Sequence, residues 1–160
     1  MRIDRIDLMV VRMDLIRSFE TSSSRKSYLE HILVRAQAGD VVGWGECACP
    51  SDPYYCEETT ETCWHMLTAF LVPAVLGREW QTIEEFRSLY GKVKRNRFAK
   101  AGLEMAAWDA LTRSTGIPLC HALGGTQEEV RSGVSLGIEQ DIGRLFALID
   151  QYLAEGYHRI

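Results

Sequence analysis

The chain has 160 residues, of which 46% are hydrophobic and 25% charged, with a formal charge of -4. That composition suits a folded domain and does not indicate disorder. The acidic balance, with no stripe of Lys and Arg, argues against nucleic-acid and anionic-membrane partners, and no apolar run approaches the roughly 18 residues of a membrane span.

Residues 1–46 read as strands. Ile3, Ile6 and Leu8 are apolar positions in a β-rich run that Met9-Val10-Val11 continues. A polar stretch at 14–26 with four serines reads as a loop with one exposed aromatic, Phe19. Residues 29–36 form the next strand, Ala38-Gly39-Asp40 is a turn, and 41–46 pairs back as a hairpin. The result is a three-stranded antiparallel meander.

Helices follow. Glu57, Glu58 and Glu61 crowd a first turn, where the helix dipole favours negative charge. Cys63, Leu67 and Phe70 mark its apolar stripe, and Pro73 with Gly77 ends or kinks it. Thr82 and Glu85 form a capping box, behind which Ile83, Phe86, Leu89 and Val93 make the apolar face of a second helix. A third helix covers 98–115, with Ala101, Gly102, Ala106, Ala107 and Ala110 permitting close packing, and Gly116 caps it ahead of Pro118. A further short turn spans 118–123, before Gly124-Gly125.

The tail changes pattern. Residues 130–138 read as a strand, 142–153 as an amphipathic helix closed by Gly156, and 157–160 as the opening of another strand. A strand–helix–strand run needs a parallel sheet, and a parallel sheet needs more strands than this chain supplies. The sequence therefore reads as the front end of a larger α/β enzyme. The expected domains are an α+β unit at 1–128 and the beginning of a barrel at 129–160.

Cys47, Cys49, Cys56, Cys63 and Cys120 occur in a chain whose amino terminus lacks the apolar core of an export signal. Free thiols and a cytoplasmic location are the expectation. Cys47-Ala48-Cys49, Cys56, Cys63 and His65 could be read as a zinc cluster, but the two-residue gaps of common structural sites are missing. Buried or half-buried thiols suit these positions better.

The run from Lys100 to Ala110, with Gly116-Ile117-Pro118-Leu119 and Leu123-Gly124-Gly125, resembles the last helix of the enolase-superfamily capping domain. Gly43-Trp44-Gly45-Glu46 resembles the end of that domain's third strand. Phe19-Glu20-Thr21-Ser22, Asp52-Pro53-Tyr54-Tyr55 and Gly133-Val134-Ser135-Leu136-Gly137-Ile138 are most similar to the o-succinylbenzoate synthase / N-succinylamino acid racemase group. The last residues, Glu155 to Ile160, resemble the run that in this group leads into a Lys-x-Lys motif.

The resemblance implies a fold and a chemistry. The fold is α+β: an enolase-like N-terminal capping domain followed by the first strand and helix of a truncated (β/α)8 barrel. The chemistry removes a proton next to a carboxylate, with a divalent metal, usually magnesium, holding the enediolate charge and a lysine as base. Loss of water then gives o-succinylbenzoate for menaquinone synthesis, whereas a second lysine returning the proton gives racemisation.

By the same resemblance the base, metal ligands and second lysine lie after Ile160, so no catalytic residue and no metal ligand is assigned within these residues. Lys92-Val93-Lys94 has the Lys-x-Lys pattern but is expected in the second helix, as a solvated face. Phe19, Thr21 and Ser22 would sit on the first mobile loop over the active site, against the alternative of a polar loop with one packed aromatic. Ser18 stands where the family often has proline, which leaves that loop less rigid. Tyr55 matches a second capping loop that shapes the apolar side of the pocket, or else packs on the following helix. Ser135 lies on the first barrel strand, as a substrate contact or as barrel filling. Glu46, Glu104 and Asp109 suit hydrogen-bonding, ion-pairing or capping roles.

The expected partners are a small-molecule carboxylate substrate and either the rest of the barrel or another copy of the chain, in a homo-oligomeric parent. A dipeptide epimerase, a muconate cycloisomerase or a noncatalytic small-molecule-binding module are the alternatives. Residues 129–160 would leave unpaired edges, and are expected to be poorly ordered or held by another chain.

Overall fold

The computed structural model describes residues 1–22 and 24–160; Ser23, in the expected serine loop, lies outside the described residues. The chain divides into two units, residues 1–13 with 29–125, and residues 14–28 with 126–160. The break follows Gly125, slightly ahead of the expected boundary, and the tip of the first hairpin belongs with the tail.

The first unit is built on an antiparallel sheet of order β1 (Arg5–Glu20), β2 (Arg25–Ala38) and β3 (Val41–Cys47). Alternation decides its buried face: Ile32, Val34 and Ala36 on β2 point inward opposite Cys47, Gly45 and Gly43 on β3. Both β1 and β2 run further than expected, so the supposed loop at 14–26 is strand at 14–20 and again at 25–26. That ribbon carries no buried side chain among the described residues. Its ladder is a backbone property, and the alternation that would announce it is absent.

Helix α1 (Thr60–Met66) starts at a capping box of two threonines, in which the Thr62 amide donates to Thr59 Oγ1 and the Thr59 amide to Thr62 Oγ1. A π turn (Leu67–Leu71) leads into α2 (Val72–Val75). The wider turn accommodates Pro73, which has no N–H to offer and would crowd an ordinary α turn. It also moves the buried face to Leu71, leaving Phe70 exposed rather than in the expected stripe. Before α3 (Ile83–Leu89), Thr82 Oγ1 accepts from the Glu85 amide, but the Glu85 carboxylate accepts from the Gln81 amide rather than closing the expected reciprocal box. Lys92 and Lys94 fall after α3 has ended, in turn and irregular backbone, not in a helix.

Helix α4 (Arg97–Thr115) lies directly on β3. A Cβ on Gly45 would stand 2.1 Å from the Gly102 carbonyl oxygen, and one on Gly43 2.2 Å from that of Ala106. The helix buries Ala99, Gly102, Leu103, Ala106, Ala107 and Ala110, residues small enough to let backbones meet. Asn96 precedes it at φ 52 without capping it. The cap comes from Glu58, whose carboxylate accepts from the amides of Arg97, Phe98 and Ala99. Glu58 therefore serves α4 and not the first turn of α1. Gly116 ends α4 at φ 68, and α5 (Leu119–Ala122) follows. Trp80, Phe86 and Tyr90 are buried in contact, the first pair tilted and the second edge-to-face.

In the second unit α6 (Ile142–Ala154) is capped by Asp141, which accepts from the Gly143 amide, and Gly156 follows at φ 93. Ile142, Phe146 and Leu153 on α6 are exposed. The expected strand at 130–138 reduces to one parallel bridge, Gly133 to Arg159, with the Val134 amide donating to the Arg159 carbonyl at 3.0 Å. The bridge has the expected parallel sense, and parallel pairing is slightly less stable per residue than antiparallel. Among the described residues no helix is long and apolar enough to cross a membrane.

Candidate functional site

The second unit gathers the first group of expected contacts. The β1–β2 turn is fastened by the Thr21 amide donating to the Ser24 carbonyl (2.8 Å) and by Thr21 Oγ1 accepting from the Ser24 amide (3.2 Å). Thr21 thus shapes the turn, Ser22 is exposed upon it, and Phe19, 38% exposed, sits at the end of β1. The Ile138 amide donates to the Glu20 carbonyl at 2.9 Å, which lays this tip on residues 137–138. A Cβ on Gly137 would lie 3.0 Å from the Glu20 nitrogen and 3.4 Å from the Phe19 ring, so glycine permits the approach.

Phe19, Thr21 and Ser22 therefore share one hairpin tip against the segment that carries Ser135. Ser135 itself is exposed and stands in irregular backbone, not on a formed strand. Tyr55 belongs to the first unit, on a bend-rich loop where it and Tyr54 are exposed instead of packed on α1.

Beside the tip is a cleft of about 470 Å³ whose lining includes Arg17, Arg25, Arg144, Glu20, Glu139 and Asp141. Arg25 stands 3.8 Å from Glu20, Arg144 stands 3.3 Å from Glu139, and Asp141 caps α6. Arg17 is exposed and forms no ion pair among the described residues. Guanidinium groups present paired donors that match a carboxylate. The sequence reading missed these arginines. The available signal was that Arg17 and Arg25 flank one tight turn, and a ribbon brings flanking residues together.

Three carboxylates of the first unit that the sequence singled out have structural partners. Glu46 pairs with His31 Nδ1. Asp109 accepts from the Trp44 amide and binds Arg113, and Glu104 meets Tyr90 and Arg87. An apolar groove of about 570 Å³ beside Trp44, Met105, Trp108 and Leu123 includes Glu46 and Asp109, both already engaged. Burial, with Glu104 adding to it, pushes the Tyr90 hydroxyl above its ordinary range.

Among the described residues, the one group of three or more His, Cys, Asp or Glu donors close enough to share an ion is Cys47, Cys49 and Cys63. Hydrogen bonding with Cys49 pushes the Cys47 thiol up, and the bond with Cys47 pulls Cys49 down. Cys63 is pushed up, first by its bond with Cys47. Thiols do not suit magnesium, which takes oxygen ligands, so these residues do not fit the ion that the fold family implies. Cys56 and His65 stay outside the group: Cys56 faces the Glu58 carbonyl and His65 packs on Phe70.

Comparison with known proteins places this geometry. The sequence profile described as "Mandelate racemase / muconate lactonizing enzyme, N-terminal domain" matches residues 5–124. An o-succinylbenzoate synthase of Geobacillus kaustophilus is 41% identical over 99% of this chain and 42% of its own length. An N-succinylamino acid racemase of Amycolatopsis sp is 37% identical over 100% of this chain and 44% of its own. The crystal structure of an enolase-superfamily member from Listeria innocua superposes with a TM-score of 0.90 at 27% identity, covering 98% of this chain and 42% of that one. The chain thus spans about two-fifths of the length of these relatives.

Proposed function

We propose, because this chain belongs to the mandelate racemase / muconate lactonizing enzyme family of the enolase superfamily, that it forms the substrate-capping part of an o-succinylbenzoate synthase. The reaction is a carbon–oxygen elimination from a small carboxylate substrate, begun by removal of a proton next to that carboxylate. The observation that carries the reading is the hairpin tip laid on residues 137–138 beside an arginine-lined cleft. Phe19 offers an apolar surface there, Ser22 a hydroxyl, and Arg17 a guanidinium with no carboxylate partner among the described residues. Ser135, on the segment against which the tip lies, is proposed as a substrate contact, and Tyr55 is proposed as one on its own loop. Domain limits at 1–128 and 129–160 belong to the same proposal, as do a homo-oligomeric assembly and a cytoplasmic location.

The chain's own residues bind, orient and shield. Closing an apolar and guanidinium-lined cover over the substrate excludes water from a reactive intermediate and fixes the carboxylate direction. The divalent cation this elimination needs, magnesium by preference, finds no oxygen-donor cluster among the described residues. By likeness to the family, its ligands and the lysine base are proposed to lie on barrel strands that these residues do not include.

A second reading, N-succinylamino acid racemase activity on the same framework, draws on the 37% identity to the Amycolatopsis racemase. The test is to assay the full-length protein and residues 1–160 separately, with magnesium, on the synthase substrate and on an N-succinylamino acid. Full-length protein should form o-succinylbenzoate and residues 1–160 should form none. Turnover by residues 1–160 above background, or a full-length protein inert toward both substrates, would overturn the proposal.

A further inference from the structure

The first unit holds a group of side chains that the proposed activity leaves unused. Cys47 ends β3, Cys49 follows it, and Cys63 lies on α1; all three are fully buried. Their sulfur atoms fall within 4.8 Å of one another, and those of Cys47 and Cys49 are 3.7 Å apart. A single core thiol acts as a small apolar filler. Three that converge set soft donors around a common centre. About an ion with metal–sulfur bonds of roughly 2.3 Å, ligand sulfurs lie roughly 3.8–4.0 Å from one another, so little rearrangement would close the group on one.

The neighbours decide which ion fits. Glu58 Oε2 accepts from Cys63 Sγ at 3.4 Å, but that carboxylate is committed to the first amides of α4. Thr60 Oγ1 is 3.9 Å from Cys49 Sγ and donates to the Glu30 carbonyl. Among the described residues no fourth His, Cys, Asp or Glu side chain joins the three as a donor. Zinc in structural sites takes four ligands and magnesium takes oxygen, whereas Cu(I) is selected by soft sulfur and is content with two or three ligands. We propose that Cys47, Cys49 and Cys63 form a binding site for one Cu(I) ion. Binding forms copper–sulfur bonds as the thiols release their protons to solvent, with no change in oxidation state.

The site's place in the fold gives it a consequence. Cys49 and Cys63 bracket the loop that carries the exposed Tyr54 and Tyr55. A bound ion ties both roots of the loop to the end of β3. Because it binds the folded state, it raises the melting temperature by mass action.

The experiment uses the full-length protein, reduced and metal-free, titrated under argon with Cu(I) against a chromogenic Cu(I) chelator. Expected are one ion per chain, a raised melting temperature, and an X-ray absorption spectrum with a first shell of three sulfurs and no lighter atoms. Cys49→Ser should weaken binding by more than about a hundredfold, beyond what loss of a mere supporting group costs. Cys56→Ser and Cys120→Ser should bind as the unaltered protein does. Failure to hold Cu(I) against the chelator, a first shell containing nitrogen or oxygen, or binding that depends on Cys56 or Cys120 would overturn the proposal. The spectrum is read on the unaltered protein, so it decides the matter even if a core serine unfolds the variants. None of these outcomes depends on whether the synthase activity is found.

Discussion

Glu58 is a buried carboxylate that stabilises a helix it does not belong to. Asn96, at the start of α4, turns its amide to the Lys94 carbonyl and leaves the first helical N–H groups without a cap of their own. Glu58 fills that role with bonds of 2.6 Å to the Arg97 amide, 3.0 Å to Phe98 and 3.3 Å to Ala99. Such charge-assisted bonds run about 1.5–3 kcal/mol each, and the helix dipole adds to them. Glu58→Gln keeps the shape but gives up the charge, and should lower stability by about 2 kcal/mol in urea unfolding. Glu57→Gln, on an exposed neighbour, should change it by less than about 0.5 kcal/mol. Equal effects from the two would show that the cap is not what Glu58 contributes. The sequence alone assigned Glu58 to the wrong helix for a physical reason. Capping rules look three or four residues along the chain, and this cap reaches across 39.

The contact of α4 with β3 is the element-scale feature on which the first unit rests. Gly43, Gly45 and Gly102 remove side chains where two backbones meet, and a Cβ on Gly102 would lie 2.8 Å from that of Cys47. Gly45→Ala drives a methyl group into the Gly102 carbonyl, and should cost about 3 kcal/mol or more because neither backbone can yield. Gly39→Ala is the comparison: it has φ +58 but open space around it, and should cost only about 1 kcal/mol. Thermal unfolding of both variants measures the difference, and a milder effect at Gly45 would refute backbone-to-backbone packing. Close packing by α4 was legible in advance from its small residues, but that β3 receives it through Gly43 and Gly45 was not, because a glycine in a hairpin does not announce which element crosses it. The length of β1 and β2 was not, because a ribbon that buries no side chain among the described residues shows no apolar alternation. The π turn was not either: Pro73 announced a break, but whether the chain bends or widens depends on what Leu71 packs against.

At the scale of the whole molecule, the resemblance carried the fold and the family, and the charged lining of the cleft escaped it. Phe19, Thr21 and Ser22 were expected on one loop and do share one hairpin tip. Arg17, Arg25 and Arg144 have no spacing that marks them, since two come from the ends of a ribbon and one from a helix more than a hundred residues on. Only folding makes them neighbours of one cleft. If that cleft receives a substrate carboxylate, Arg17 is the guanidinium best placed to serve it, because Arg25 and Arg144 already face Glu20 and Glu139. Loss of one charge-assisted bond that is equally strong before and during the reaction weakens substrate binding without slowing the chemistry. Arg17→Ala in the full-length protein should therefore raise KM about tenfold and leave kcat within about twofold, the scale of a single hydrogen bond to a charged group. Lys92→Ala, on the exposed backbone after α3, should change neither. A fall in kcat at constant KM would place Arg17 in the transition state instead, and no change at all would remove the cleft from the substrate's path.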